Sequence, residues 1–287
     1  MKKTVVFTAA CALLTGTTVI QAADPANDAA SAAPASEASP LTGNLSLVSS
    51  YRFRGIDQTF GKPALQGGFD FAHASGFYLG NWNSNVSSGA GYPDGNLEMD
   101  FYGGYKTSFG DFGVDVGAIY YYYPGSYVRG LGQGHSGTVD NKEIYLGGSW
   151  KFLSLKYFYA IDDYFSLRGI DSAGVSTDRR TRGSQYLDFS LNYDLGNGWG
   201  INGHLGRLQL KNVANGNYTD WKVGVTKDLG GWLLAASYID TDAKGNCGGN
   251  GFAPYCFANS LSENGNAGGR HKDAGRSIVV VSVSRSF

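Results

Sequence analysis

Apolar and polar side chains alternate along short stretches of this chain. Between Gln185 and Leu195, large apolar residues occupy the odd positions, while Asp188 and Asp194 lie among polar residues at even positions. Stretches 97–107 and 218–229 show the same period of two. This period is that of a β-strand with two different faces. The pattern predicts one face suited to lipid and one suited to water.

About twelve such strands follow one another, an even number of the kind that outer-membrane barrels use. They are predicted at 43–53, 64–72, 77–84, 97–107, 112–122, 142–150, 153–162, 185–195, 199–210, 218–229, 232–241 and 276–287. In the ninth, the alternation changes phase after Gly206, which predicts either a bulge or an earlier strand end.

The predicted connections alternate in length. Those after even-numbered strands are short, whereas those after odd-numbered strands are longer and include 123–141, 163–184 and 242–275. Outer-membrane barrels have tight periplasmic turns at one rim and long external loops at the other. A soluble sandwich gives no reason for this sorting. The fold predicted is all-β, a transmembrane antiparallel up-and-down β-barrel of about 12 strands.

The last predicted strand is rich in β-branched residues and stops on Phe287. A terminal strand leaves unpaired backbone groups, and pairing it with the first strand of the same sheet removes both edges. We therefore expect the segment that begins near Gly43 to pair with the last strand and close the barrel.

Composition agrees with an all-β chain and excludes some functions. Gly accounts for 43 of 287 residues, with 19 Tyr and 16 Phe, which suits turns and aromatic strand surfaces. A formal net charge of -1 and the lack of a basic patch argue against nucleic-acid binding. Beyond residue 23, no apolar run approaches the roughly 18 residues of a membrane-spanning helix.

The N-terminal region predicts export. Residues 1–23 combine two lysines, a short apolar run and small residues near the end, as a signal peptide does. Cys11 offers the alternative of a lipoprotein acceptor. Residues 24–42, rich in Ala, Ser and Pro, are interpreted as a flexible periplasmic leader, and 43–287 as the barrel. The expected location is the outer membrane of a Gram-negative bacterium.

Two stretches resemble a known family. The residues from Ser49 to Thr59, Ser-Ser-Tyr-Arg-Phe-Arg-Gly-Ile-Asp-Gln-Thr, and those from Pro63 to Trp82 are similar to the opening of the TorF family of proposed porins. The resemblance implies an outer-membrane channel without established catalytic or ligand residues. The terminal Phe287 also resembles the signal for the barrel-assembly machinery, although Arg285 departs from that pattern.

Tryptophan and cysteine positions give structural predictions. All five tryptophans fall near strand ends, which favours interfacial membrane belts at Trp82, Trp150, Trp199, Trp221 and Trp232. Cys247 and Cys256 lie together in one long connection of an oxidising compartment, and a disulfide is favoured over free thiols. No ligand set for a metal accompanies them, and no cofactor is expected.

Alternation assigns a charged inner wall to the barrel. The predicted pore-lining residues are Arg52, Arg54, Asp70, Glu98, Asp100, Lys106, Asp115, Glu143, Lys156, Asp162, Asp188, Asp194, His204 and Lys222. Mixed charges in a narrow pore favour small polar solutes, and an acidic surplus favours cations. Alternatively, these groups pair across a plugged interior, since twelve strands lie between filled and open barrels.

The functional hypothesis is a porin for passive diffusion of small hydrophilic solutes or ions, either monomeric or a homo-oligomer, with lipid as its surroundings. The alternative is a structural or adhesive barrel whose long loops bind a partner. An enzyme is not expected: three of the four histidines fall in predicted turns or loops, and the fourth, His204, faces the predicted lumen without a visible nucleophile in matching register.

Overall fold

The protein is an up-and-down β-barrel in the computed structural model, which describes residues 40–128 and 137–287. Its barrel strands are β1 (Leu41–Val48), β2 (Ala64–Ala72), β3 (Phe77–Asn85), β4 (Leu97–Phe109), β5 (Phe112–Val128), β6 (Gly137–Trp150), β7 (Leu153–Ala160), β8 (Gln185–Gly196), β9 (Trp199–Gln209), β10 (Tyr218–Asp228), β11 (Trp232–Thr241) and β12 (Ile278–Ser286). Each strand pairs with its sequence neighbours, and the sheet closes. The predicted 12-stranded antiparallel barrel is confirmed.

Closure takes place between the first and last strands. β1 pairs with β12 from Asn44 opposite Ser286 to Val48 opposite Ser282, and it pairs with β2 along its other edge. The backbone of Gly43 exchanges two further hydrogen bonds with Phe287, at 2.7 and 2.9 Å. These pairings satisfy the backbone groups of both terminal strands, as the closure hypothesis required.

The outer surface of the barrel carries the apolar set of each strand. Leu65, Phe69, Leu79 and Val223 are among the most exposed side chains, and exposed large apolar residues occur on all twelve strands. An exposed apolar surface of this extent in water would be unstable, whereas lipid covers it at no cost. The outward face is therefore the lipid-facing one.

The two rims differ as the loop lengths predicted. Tight turns join β2 to β3, β4 to β5, β6 to β7, β8 to β9 and β10 to β11. At the opposite rim, the long connections contain short elements: Ser88–Ala90, Tyr164–Ser166, the hairpin Arg168–Ile170 with Ser176–Arg180, and the hairpin Cys256–Ala258 with His271–Asp273. We call these the tight-turn rim and the long-loop rim. Cys247 and Cys256 form a disulfide in the last connection.

The first strand is shorter than predicted. It ends at Val48, and residues 49–63, which we call the plug segment, turn into the barrel before β2 begins. Within it, Arg52–Phe53 pairs with Ile56–Asp57 to form a separate hairpin, the plug hairpin. The alternation of apolar and polar residues stops at Ser49-Ser50, so the sequence contained a signal for this end.

The ninth strand contains no bulge. β9 pairs with both neighbours without a register shift from Gly200 to Leu208. Leu208 lies on the same inward face as His204 and is buried. The apparent change of phase arises because the inward face becomes apolar near the long-loop rim, where loops cover it.

Several predictions lie outside the described residues. These are the signal peptide at 1–23, its Cys11 alternative and almost all of the leader at 24–42. In the described part of the chain, no helix has the length and apolar character needed to cross a membrane.

Candidate functional site: the barrel lumen and its plug

The plug hairpin crosses the lumen on a two-residue turn. Arg54 and Gly55 form the turn, both with positive φ, at 49° and 79°, as a tight hairpin of this kind requires. A Cβ atom on Gly55 would lie 2.5 Å from Thr241 Cγ2 and 2.8 Å from Asp220 Cβ. Only glycine therefore lets the tip approach the wall of β10 and β11 so closely.

Arg54 fastens the tip to the opposite wall. Its Nη1 donates to Glu143 Oε1 at 3.0 Å and its Nη2 to Glu143 Oε2 at 2.7 Å, a bidentate ion pair. Nη1 also donates to the Tyr164 hydroxyl at 3.0 Å. The guanidinium carbon lies 4.2 Å from the ring centre of Tyr186. This contact set connects the plug with β6, β8 and the external turn at Tyr164.

Other plug residues bind the wall along different strands. The Tyr51 hydroxyl donates to Glu98 Oε1 at 3.2 Å, and its ring meets Trp82 edge-on at 5.5 Å. The Tyr218 hydroxyl donates to the carbonyl oxygen of Arg54 at 2.9 Å. Contacts on β3, β4, β6, β8 and β10 place the segment inside the barrel and not over its rim.

The half of the lumen toward the long-loop rim is closed to solvent. Tyr51 is 0% exposed, and the large residues around it, among them Tyr121 and Tyr123, are equally buried. Asp100 is also 0% exposed, and among the residues that the structure describes, neither of its carboxylate oxygens has a hydrogen-bond partner. The plug and its aromatic surroundings thus seal this level of the barrel, where the sequence predicted a moist passage.

Water reaches the lumen from the tight-turn rim. Asp188 keeps 29% of its side chain exposed, and Lys156 keeps 21%. Lys156 Nζ pairs with Asp115 at 2.7 Å, and the Tyr78 hydroxyl donates to Asp115 at 2.6 Å. Below the plug hairpin, on the side of the tight-turn rim, lies a cavity of about 170 Å³, bordered by Arg54, Asp188 and other inward residues of β1 and β8 to β12.

His204 joins two carboxylates on the wall of this cavity. Its Nε2 lies 2.8 Å from Asp220 Oδ1, and its Nδ1 lies 3.3 Å from Asp188 Oδ1. The Tyr186 hydroxyl donates to Asp220 at 3.0 Å and packs over Gly206, which leaves room for it. Because both ring nitrogens face carboxylates, the imidazolium is the form that donates to both.

The predicted pore-lining residues fall into four groups. Arg52 and Arg54 belong to the plug hairpin and not to the first strand. Glu98, Asp100 and Glu143 lie on the wall but are sealed by the plug. On the wetter wall, the structure places Asp70, Lys106, Asp115, Lys156, Asp188, His204 and Lys222.

Asp162 and Asp194 form the fourth group, at the two rims of the barrel. Asp194 is exposed at a tight turn, where its Oδ1 accepts from the backbone N–H of Gly196 at 2.8 Å. Asp162 lies beyond the end of β7 in a long connection. It accepts from Arg180 at 2.7 Å and from the backbone N–H of Asp163 at 2.9 Å. That N–H, together with Lys142 and Arg180, holds the pKa of Asp162 below its usual range.

Four of the five tryptophans lie on the outer surface. Trp150, Trp199 and Trp232 are exposed at the tight-turn rim, and Trp221 is exposed toward the long-loop rim. Trp82 differs, since it pairs with Asp100 across β3 and β4 and faces inward against Tyr51. A position near a strand end therefore does not decide which face a tryptophan occupies.

The sequence also contained residues that pattern reasoning missed. The plug hairpin is readable as Arg-Phe, then Arg-Gly, then Ile-Asp, a two-residue turn between short strands. No sequence signal joined Arg54 to Glu143, Tyr164 or Tyr186, because these partners come from separate strands and loops. Among the described residues, no group of three His, Cys, Asp or Glu side chains could hold a metal ion.

The fold and the lumen together define a class: a closed 12-stranded barrel with an apolar exterior and a polar, plugged interior, built like barrels that span outer membranes. Residues 31–262 match the model of a family described as "Bacterial protein of unknown function (Gcw_chp)", and the chain belongs to this family. The more specific resemblance to the TorF family stays a prediction. No curated protein matches the sequence.

Solved structures similar to this chain include three outer-membrane proteins. The KdgM porin has 12% identity and a TM-score of 0.45, with 86% of this chain and 98% of that chain covered. The NanC porin has 11% identity, the same coverage and a TM-score of 0.49. OmpT of Vibrio cholerae has 9% identity, 86% and 97% coverage, and a TM-score of 0.39. The function proposed below rests on the lumen itself.

Proposed function

We propose that this protein is an outer-membrane channel for passive diffusion of small hydrophilic solutes or ions, and that the plug segment controls passage. The observation that carries the proposal is the charged, partly wet wall that rises from the tight-turn rim to the plug hairpin. A barrel that served only as a scaffold would be expected to fill this half with apolar side chains as well. No cofactor or catalytic group takes part.

The plug segment is built so that it can leave the lumen without unfolding the barrel. The plug hairpin forms a sheet of its own and is not a strand of the barrel. Backbone hydrogen bonds attach the segment at a few points, such as Ser49 N to Val281 O and Asp57 N to Ala274 O. Its remaining attachments are side-chain contacts, among them those of Tyr51, Arg52, Arg54 and Asp57. Displacement therefore leaves the strand pairing intact.

One observation favours the second candidate, a closed barrel whose external loops bind a partner. The plug segment and its surroundings are as buried as a protein core. Close packing of this kind is what a permanently closed lumen requires. The two candidates predict different conductance for a barrel that lacks the plug.

Removal of the plug segment is sterically simple. Val48 at the end of β1 lies directly opposite Ala64 at the start of β2, so a two-residue Asn-Gly turn can replace residues 49–63. The matched control replaces residues 171–175 with Gly-Gly. These residues form the tip of an external hairpin closed by the pair Ile170 and Ser176. Both variants shorten a connection at the long-loop rim, but only the first empties the lumen.

Single-channel recording in planar bilayers tests the proposal. We expect brief, infrequent openings for the native barrel and the 171–175 control, and long-lived conductance steps for the variant without the plug. Heat-dependent gel mobility shows that each variant is folded. A folded, plugless barrel that conducts no ions and does not let liposomes swell in small sugars would overturn the channel proposal in favour of the partner-binding barrel.

A further inference from the structure

The cavity below the plug hairpin lies where one side of the barrel wall carries small side chains. Toward β1, β11 and β12 it is lined by Ser46, Ala235, Ser237 and Ser282, all with small side chains. The opposite wall carries bulky residues such as Phe158. At about 170 Å³, the cavity can hold roughly ten waters, or a molecule of about six to ten non-hydrogen atoms.

Several hydrogen-bond donors at this cavity have no partner in the described part of the chain. Ser50 and Arg52 border it, both more than nine-tenths buried, and Ser50 Oγ, Arg52 Nε and Arg52 Nη2 make no hydrogen bond to any described residue. Arg52 Nη1 is used by backbone carbonyl oxygens, and its Nη2 lies 3.6 Å from Asp57. Lys222 also borders the cavity, and its ammonium has no hydrogen bond or ion pair within the described residues.

The carboxylates around the cavity are already occupied. Both oxygens of Asp220 accept from Tyr186, and Oδ1 also faces His204. Asp188 faces His204 and accepts from Ser190 at 2.6 Å. Donors without partners beside acceptors that are in use favour an acceptor-rich ligand.

Charge also favours an anion. Among the described residues, the cations that border the cavity are Arg52, Arg54, His204 and Lys222, and the carboxylates are Asp188 and Asp220. Arg54 is paired with Glu143, Arg52 lies 3.6 Å from Asp57, and His204 lies between Asp188 and Asp220. Lys222 has no ion pair of its own there, and a bound anion would supply one.

We infer that the cavity below the plug hairpin binds a small organic monoanion that carries a carboxylate and one or more hydroxyl groups. The carboxylate lies toward Lys222, and the hydroxyls meet Ser46, Ser237 and Ser282. If the proposed channel function holds, this ligand is a permeating solute, and the inference then names its class. The acidic surplus that favoured cations in the sequence included Glu98 and Asp100, which are buried by the plug on the side of the long-loop rim.

Lys222→Met is the test variant, with Lys227→Met as its matched control. Lys227 is on the same strand, but its ammonium donates to the carbonyl oxygen of Asn197 at a tight turn and lies over Trp199. The probe is glycerate, with glycerol as the neutral analogue and ethanolamine as the cationic one. Binding to the barrel folded in detergent is measured by isothermal titration calorimetry, a readout that does not depend on whether the barrel conducts ions. Lys222→Gln provides a second variant should the methionine variant fail to fold.

We expect glycerate to bind the native barrel and the Lys227 variant, and to bind roughly ten- to hundredfold more weakly without the Lys222 ammonium. Glycerol and ethanolamine should not compete. Equal binding by all three barrels, no glycerate binding, or preferred binding of ethanolamine would overturn the inference, even if the barrel conducts ions. Conversely, Lys222-dependent binding in a barrel that never conducts would support the anion site and reject the channel.

Discussion

The ion pair between Arg54 and Glu143 makes a direct prediction about the plug. In Glu143→Gln, the side chain keeps its shape but loses its charge, and the seated plug then holds a buried guanidinium without a counter-charge. Removal of one partner of a buried ion pair typically destabilises by about 3–5 kcal/mol. Because an amide still accepts one hydrogen bond, we use the lower end of this range, about 3 kcal/mol.

This cost destabilises only the conformation in which the plug is seated. When the plug is displaced, water solvates the Arg54 guanidinium, so the substitution does not destabilise that conformation. The equilibrium between seated and displaced plug should therefore shift by roughly 150-fold toward the displaced form. Removal of both charges, in Arg54→Met with Glu143→Gln, should reverse most of the shift because no buried charge is left without its partner.

Two measurements report the shift. The open probability in planar bilayers should rise by about two orders of magnitude, as estimated from the free energy above. In a Ser50→Cys background, labelling by a membrane-impermeant thiol reagent should accelerate by a similar factor. Cys247 and Cys256 do not interfere because they are joined in a disulfide.

Asp115→Asn is the matched control. It removes the pair between Asp115 and Lys156, which has the same 2.7 Å separation as the Arg54 pair but does not involve the plug. Its open probability and labelling rate should equal those of the native barrel. If Glu143→Gln behaves like this control in both assays, the ion pair does not hold the plug, and the reasoning is wrong.

Three further predictions concern stability. Asp100→Asn should raise the free energy of unfolding, measured in urea, by about 1–3 kcal/mol, because a buried carboxylate without partners among the described residues becomes a neutral amide. Asp70→Asn should lower the free energy of unfolding, because Tyr102 donates a hydrogen bond to the Asp70 carboxylate. Replacement of Cys247 and Cys256 by serine should make their connection more sensitive to protease while heat-dependent gel mobility of the barrel stays unchanged. Because the pKa of Asp162 is lowered, its ionised carboxylate should contribute fully to stability at any pH above the usual Asp pKa of about 4, and this contribution should be lost only as the pH falls below that value. An NMR titration of Asp162 with a midpoint at or above about pH 4 would contradict this.

The local pattern of apolar and polar residues was sufficient to predict the barrel strands, because one face of each strand contacts lipid and the other contacts the polar lumen. The alternation in 185–195 and the sorting of loop lengths by parity were readable without a partner strand, and both agree with the structure. The same rule misplaced Trp82, because its face depends on register and not on its distance from a strand end. It also extended the first strand to Phe53, since strand-forming residues continue there beyond the point where pairing stops.

The sequence by itself therefore determined the architecture: twelve strands, their order, their lipid-facing side and the rim at which the long connections lie. The tertiary structure alone decided what the lumen contains. Arg54 and Glu143 are 89 positions apart and meet because the plug hairpin turns inward across the closed barrel. Periodicity reports which side of its own strand a residue faces, whereas the state of the lumen depends on contacts between distant segments that exist only after closure.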